Sequence, residues 1–146
     1  MSKTLACVAA VLALAVSASA GDRATEKEAQ ALLDRAVKAV QADEAKALAA
    51  FNDPKGGYQD RDLYVFCAGP DGKITASRDP KMLGGDQAAV KGPDGRMVGK
   101  EIAEIGKKGG GTLEYKWPNP VSNKVETKVS YIKQAGKQVC GVGAYK

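Results

Sequence analysis

Residues 113–120 read Leu-Glu-Tyr-Lys-Trp-Pro-Asn-Pro, and residues 125–131 read Val-Glu-Thr-Lys-Val-Ser-Tyr. In both segments apolar or β-branched side chains alternate with polar ones, which is the period of a β-strand that turns one face toward a core. Proline cannot donate to a strand ladder, so Pro118-Asn119-Pro120 ends the first strand. A further run over residues 138–144 predicts a last strand, and together the three runs predict three antiparallel strands.

The sequence that precedes these three strands predicts two helices, then a β-hairpin and then a short helix. Thr25 and Glu28 have capping-box spacing, and apolar residues then recur at helical spacing as far as Val40. Asp43 restarts a second helical piece, which the turn residues 52–57 end. The runs 63–68 and 73–77 flank a turn sequence and predict a β-hairpin, and residues 97–108 predict a short helix. This element order is typical of the α+β class.

The first twenty residues predict a secretory signal peptide. Lys3 supplies a positive charge, a run of Ala, Val and Leu follows, and Ala18-Ser19-Ala20 has the small side chains that signal peptidase requires. The apolar run is shorter than the roughly 20 residues that span a bilayer, which argues against an uncleaved anchor. We therefore expect residues 1–20 to be removed, residues 21–146 to form one domain that does not span the membrane, and the mature protein to be periplasmic or secreted.

Composition excludes several function classes. The chain has no histidine, which removes Ser-His-Asp and Cys-His nucleophilic sites and imidazole metal ligands. No other nucleophile and base pair is evident, so we expect a protein that is not an enzyme, with no cofactor and no metal. The net charge of +5 comes from cations spread along the chain without a basic block, so nucleic acid is not an expected partner.

Two cysteines, Cys67 and Cys140, remain after removal of the signal peptide. An even pair in an exported chain is first a disulfide candidate. Two buried free thiols are the alternative. No C-x-x-C spacing is present, so neither a redox motif nor a c-type haem site is expected.

Several stretches of the mature chain together resemble the single Cache domain family, type 2. They are Phe51-Asn52-Asp53-Pro54-Lys55-Gly56-Gly57-Tyr58, Asp62-Leu63-Tyr64-Val65-Phe66, Glu114-Tyr115-Lys116-Trp117-Pro118-Asn119-Pro120, Lys128-Val129-Ser130-Tyr131 and Gly141-Val142-Gly143. The resemblance implies a PAS-like fold with a long N-terminal helix packed on a five-stranded antiparallel sheet and a small-ligand pocket on the other side. It also implies that the first and last strands are central neighbours, which would bring Cys67 and Cys140 together.

The resemblance and the residue types suggest a ligand site. Aromatic side chains with a polar group suit a pocket for a small carboxylate, and Arg78 and Lys128 are the cations best placed to meet an anion. Core packing is the alternative for each aromatic, and a solvated surface position is the alternative for each cation. Strand alternation places Lys128 on the face opposite Tyr131 unless a bulge intervenes. The expected ligand-binding residues are Tyr64, Arg78, Tyr115, Trp117, Lys128 and Tyr131.

Members of the resembled family are extracytoplasmic sensor domains of bacterial receptors, kinases and cyclases. A receptor sensor domain is normally followed by a transmembrane helix, whereas this chain ends at Lys146. The expectation is thus a periplasmic sensor-type domain that binds a small organic anion and acts in signal transduction through a membrane receptor or kinase partner. A ligandless interaction or structural module with the same fold is the alternative, and a pocket filled by its own side chains would favour it.

Overall fold

Three α-helices and six β-strands make up the part of the chain that the computed structural model describes, which is residue 21 and residues 23–146. The expected signal peptide, residues 1–20, lies outside these described residues. The helices are α1 (Glu26–Ala42), α2 (Glu44–Asn52) and α3 (Val98–Lys107). The strands are β1 (Gln59–Asp60), β2 (Leu63–Ala68), β3 (Ile74–Ala76), β4 (Gly110–Pro118), β5 (Val125–Ala135) and β6 (Gln138–Tyr145).

The sheet is antiparallel, with the strand order β1-β2-β6-β5-β4 and with β3 paired to β2. The first long strand, β2, and the last, β6, are therefore neighbours although they lie far apart in sequence. The α+β class and the helix-on-sheet arrangement are confirmed. The two-residue β1 adds a sixth strand to the expected five, because a polar pair such as Gln59–Asp60 carries no alternation that a sequence pattern can reveal.

The residues predicted to cap the first two helices make the expected hydrogen bonds. The Thr25 hydroxyl accepts a hydrogen bond from the Glu28 backbone N–H at 3.2 Å, and the Glu28 carboxylate accepts one from the Thr25 N–H at 2.7 Å. Asp43 ends α1 and caps the start of α2 by accepting from the Lys46 N–H at 3.1 Å. Both helix starts thus have satisfied backbone donors.

The two faces of the sheet have different partners. The apolar face of α1 packs on side chains that alternate along β2 and β6, and this layer forms a closed core. Its most deeply buried members on these two strands are Val65, Cys67, Cys140, Val142 and Ala144. The opposite face is covered by α3 and by the connection of residues 79–96, which contains two short 3-10 turns, Pro80–Met82 and Gln87–Ala89.

Cys67 and Cys140 form a disulfide, so the free-thiol alternative is wrong. The two residues are directly paired across β2 and β6, and both are buried in the core below α1. The bond joins positions separated by 73 residues, and the loop it closes includes β3, α3, β4 and β5. The covalent link therefore restricts most of the unfolded chain.

We predict that the double variant Cys67→Ala/Cys140→Ala loses about 4 kcal/mol of unfolding free energy, because the closed loop is long and its entropy in the unfolded state is restored. Urea unfolding followed by circular dichroism measures the loss. Wild-type protein held in reductant is the control, and it should unfold at nearly the same urea concentration as the variant. Equal midpoints for the oxidised wild type and the double variant would contradict the prediction.

Candidate functional site

A cavity of about 380 Å³ lies on the side of the sheet opposite α1. Strands β2 to β5, helix α3 and the connection of residues 79–96 all contribute to its walls, which are mostly apolar. The volume is within the range of small-molecule sites. Five of the six predicted ligand-binding residues line it: Tyr64, Arg78, Tyr115, Trp117 and Lys128.

Lys128 is the most unusual of these residues, because its side chain is buried to 1% exposure. It lies in a row across three neighbouring strands, between its direct partners Tyr115 on β4 and Tyr145 on β6. Its Nζ donates a hydrogen bond to the Tyr64 hydroxyl at 2.9 Å. It also lies 4.1 Å from the centre of the Tyr64 ring and 5.4 Å from that of Phe66.

No carboxylate of residues 23–146 forms an ion pair with Lys128. Rings and phenols supply a partial compensation through cation–π contacts, which are much weaker than a buried ion pair. An ammonium taken out of water is costly, and the buried Asp62 carboxylate offsets only part of this cost because it forms no ion pair with the amine. The floor of the cavity, which Lys128, Tyr64 and Phe66 form, therefore favours an anion.

Two glycines of β6 make room for this arrangement. A Cβ at Gly143 would lie 2.4 Å from Cε of Lys128, and a Cβ at Gly141 would lie 2.2 Å from the Phe66 ring. Both distances are far below van der Waals contact. Any larger residue would therefore displace the Lys128 stem or the Phe66 ring from the floor of the cavity.

Burial changes the acid–base properties of the floor. It lowers the pKa of the Lys128 amine, since desolvation disfavours the charged form. Burial also raises the pKa values of the phenols of Tyr64, Tyr115 and Tyr145. These phenols stay protonated at neutral pH and can donate hydrogen bonds, while no phenolate is available to neutralise the amine.

Arg78 follows β3 and supplies a second cation in the cavity wall. It is half-buried, and its Nη1 donates a hydrogen bond to the backbone carbonyl of Arg61 at 2.7 Å, which holds the guanidinium in place. Arginine has several donors in one plane, so this contact leaves others for a carboxylate.

Trp117 and Tyr115 form the apolar wall on β4. Their rings are 5.9 Å apart in an edge-to-face arrangement, and Tyr115 also shares a hydrogen bond with the buried Ser130 hydroxyl at 2.9 Å. Val98 and Ile102 of α3 pack against the same cluster. The wall is therefore rigid on the strand side, as a site for a small molecule requires.

Asn119 links the cavity, through Asp62, to Ala24, which lies just before α1. It lines the cavity, and its Nδ2 donates to the Glu126 carboxylate at 2.9 Å and lies 3.4 Å from the carboxylate of the fully buried Asp62. Asp62 in turn accepts a hydrogen bond from the Ala24 backbone N–H at 2.9 Å. This network braces the Pro118-Asn119-Pro120 turn.

Tyr131 is the sixth predicted ligand-binding residue, and the structure does not bring it to the cavity. It packs on the α1 side of the sheet, and its hydroxyl donates to the Glu26 carboxylate at 2.5 Å. Strand β5 is in regular register with both neighbours, with no bulge to change its faces. Lys128 and Tyr131 are thus on opposite faces, as strand alternation indicated, and the cavity is on the Lys128 side.

Sequence reasoning missed Phe66, which lines the cavity, and the residues of β6 that lie against Lys128 and Phe66, which are Gly141, Gly143 and Tyr145. Their signal was present: positions 141, 143 and 145 share one face of β6, and Phe66 shares a face of β2 with Tyr64. What the sequence lacked was the register of β2 against β6, which brings these residues beneath Lys128.

The sequence profile of the family described as Single Cache domain 2 matches residues 1–145. The chain belongs to this family. Cache domains of this type are sensor domains, typically periplasmic ligand-binding parts of chemoreceptors. No helix in the described residues has both the length and the apolar character to cross a membrane.

Solved structures show the same Cache fold. A methyl-accepting chemotaxis protein from Vibrio parahaemolyticus is 23% identical with a TM-score of 0.67, and the match covers 82% of this chain and 87% of that one. A periplasmic sensor domain of a chemotaxis protein is 22% identical with a TM-score of 0.60, covering 82% and 88%. A structure described as a basis for carboxylic acid recognition by a Cache chemosensory domain is 24% identical with a TM-score of 0.59, covering 82% and 86%.

We predict that Lys128→Met changes how stability depends on pH. The folded-state pKa of Lys128 is below its unfolded value of about 10.4, so between the two values the unfolded state binds more protons. Wild-type stability relative to Lys128→Met should therefore rise with pH in this window, by about 1.4 kcal/mol in total for each unit of lowering. Urea unfolding at several pH values from neutral upward measures the difference.

Lys116→Met, on an exposed position of β4, is the matched control for this experiment. Its difference from wild type should stay constant over the same pH range. Parallel stability curves for wild type and Lys128→Met would show that the amine is not desolvated.

Proposed function

We propose that residues 21–146 are the mature chain, a periplasmic sensor-type Cache domain that binds a short organic acid. In this proposal, residues 1–20 are a cleaved signal peptide that directs export. The observation that carries the ligand proposal is the buried Lys128 amine, which lies on the floor of an open cavity with no carboxylate paired to it among the described residues.

A carboxylate ligand satisfies both cations of the site. One oxygen meets the Lys128 ammonium, and Arg78 contacts the other through its free N–H groups. Such charge-assisted hydrogen bonds are shorter and stronger inside a cavity than in water. The apolar part of the ligand then packs against Trp117 and Ile102, which line the same space. One structural neighbour has a title that describes carboxylic acid recognition, which supports this ligand class.

The connection of residues 79–96 supplies the outer wall. Met82, Gln87 and Val90 of this segment line the cavity, and Gly84 adopts a positive φ between the two 3-10 turns. We propose that ligand capture between this segment and the sheet orders the segment. A separate membrane receptor or kinase would then recognise the ligand-bound form.

The ligandless alternative is less well supported. It requires a cavity filled by the chain's own side chains, whereas about 380 Å³ is open beside a buried cation. The desolvated amine destabilises the empty fold, which is typical of a binding site rather than of a structural module.

We predict that short monocarboxylates such as propionate stabilise the wild type against thermal unfolding at millimolar concentration, since a ligand that binds only the folded state adds about 2.7 kcal/mol at a hundred times its Kd. Arg78→Gln and Lys128→Met should each weaken binding roughly tenfold or more, because each loses a charged contact. Isothermal titration calorimetry measures the affinities. Lys116→Met is the control and should bind like wild type; no stabilisation by any C2 to C4 carboxylate would overturn the proposal.

Trp117→Ala tests whether the aromatic wall serves the ligand or only the core. Trp117 is half-buried at the cavity, so its removal enlarges the site more than it opens the closed core. We expect the affinity for the stabilising carboxylate to fall by a larger free energy than the unfolding free energy does. Titration calorimetry and urea unfolding of the same variant provide the two numbers, and equal losses would indicate plain core packing.

A further inference from the structure

The turn between β1 and β2 has a backbone conformation that its residue type disfavours. Arg61 and Asp62 form this two-residue turn, and the flanking residues Asp60 and Leu63 pair with each other. Arg61 has a φ of 54°, whereas a position of positive φ in such a turn is normally taken by glycine or asparagine. Among the described non-glycine residues, only Asn123 also has a positive φ. The conformation of Arg61 costs free energy, so the surrounding structure must impose it.

Both side chains of the turn are anchored, Arg61 to two acids and Asp62 to the chain just before α1. The Arg61 guanidinium forms ion pairs with Glu28 at 2.7 Å and with Asp60 at 2.8 Å. The Asp62 carboxylate accepts a hydrogen bond from the Ala24 backbone N–H at 2.9 Å. These contacts hold the turn on two sides and so maintain the positive φ.

The backbone carbonyl of Arg61 contacts a side chain of the cavity wall. It accepts a hydrogen bond from Nη1 of Arg78 at 2.7 Å. The backbone around Arg78 is held as well, since the Asn52 carboxamide accepts from the Ser77 N–H at 3.0 Å and donates to the Thr75 carbonyl at 2.9 Å. Arg78 is therefore fixed near its backbone by the end of α2 and at its guanidinium by the turn.

We propose that Arg61 is a positioning residue for the ligand site, because its positive-φ backbone directs the carbonyl that fixes Arg78. The inference rests on the proposed function, since it assumes that Arg78 meets a carboxylate. It goes further by assigning a role in affinity to a residue that does not line the cavity. The backbone conformation performs this role, and the Arg61 side chain maintains the conformation.

A carbonyl is a suitable anchor for a cation that has to bind an anion. An arginine side chain has several rotatable bonds, and a guanidinium that is ordered on folding loses less freedom when a ligand binds. A carboxylate in place of the carbonyl would neutralise the guanidinium and compete with the ligand. No acid of residues 23–146 forms an ion pair with Arg78. Arg78 is thus both ordered and available to an anion.

Two substitutions of Arg61 separate its backbone from its side chain. Arg61→Gly and Arg61→Val both remove the ion pairs, but glycine adopts a positive φ readily and the β-branched valine does not. We expect Arg61→Val to weaken propionate binding about tenfold, since the carbonyl turns away from Arg78. Arg61→Gly should keep most of the affinity that Arg61→Val loses. Titration calorimetry measures both, and Lys116→Met is the control that should bind like wild type.

A double-mutant cycle tests whether the effect passes through Arg78. In an Arg78→Gln background, Arg61→Val should weaken propionate binding by no more than about twofold, because the hydrogen bond is already lost. Urea unfolding of the same four proteins gives a second cycle that needs no ligand. There the double variant should lose less unfolding free energy than the sum of the single losses. Arg61→Ala replaces Arg61→Val in both cycles if the valine variant does not fold.

The outcomes separate this inference from the proposed function. Three results overturn the role of Arg61 and leave the proposed function standing: wild-type affinity in Arg61→Val, equal weakening by Arg61→Gly and Arg61→Val, and additive losses in either cycle. Absence of stabilisation of the wild type by every C2 to C4 carboxylate overturns both.

Discussion

A lysine amine buried in the centre of a β-sheet is the constraint on which the site depends. Lys128 is on β5, between Tyr115 and Tyr145 on the neighbouring strands, where an apolar side chain would normally be found. Water cannot solvate the amine there, and phenols that stay protonated cannot neutralise it. The buried Asp62 carboxylate offsets the cost of this burial only in part, because it forms no ion pair with the amine.

The opposite face of the sheet stabilises the fold and so offsets the cost of burying the Lys128 amine. There α1 closes a dry core, and the Cys67–Cys140 disulfide joins the two central strands directly beneath it. Residues of β2 alternate between the two environments: Val65 and Cys67 face the closed core, whereas Tyr64 and Phe66 face the cavity. A single pleated strand therefore contributes to the closed core on one side and to the cavity lining on the other.

Much of the fold was predictable because local signals and tertiary structure agree. The Thr25 capping box, the Asp43 helix restart and the alternation along β4 and β5 each predicted an element that forms. The disulfide followed less directly: the sequence left two alternatives, and only the resemblance placed Cys67 and Cys140 side by side. The two-residue β1 carried no pattern, since its pairing is determined by the path of the chain into β2.

The site was less predictable than the fold, because strand alternation separates two faces without saying which face is hollow. Lys128 and Tyr131 were correctly placed on opposite sides, yet both were expected at the ligand. The glycines of β6 distinguish the two faces. Gly141 and Gly143 have no side chains on the cavity side of β6, and Phe66 and Lys128 occupy the space there. The same strand turns Cys140 and Val142 toward α1. Two glycines in the middle of one face of a central strand are thus the sequence feature that distinguishes the hollow side of this sheet from its packed side.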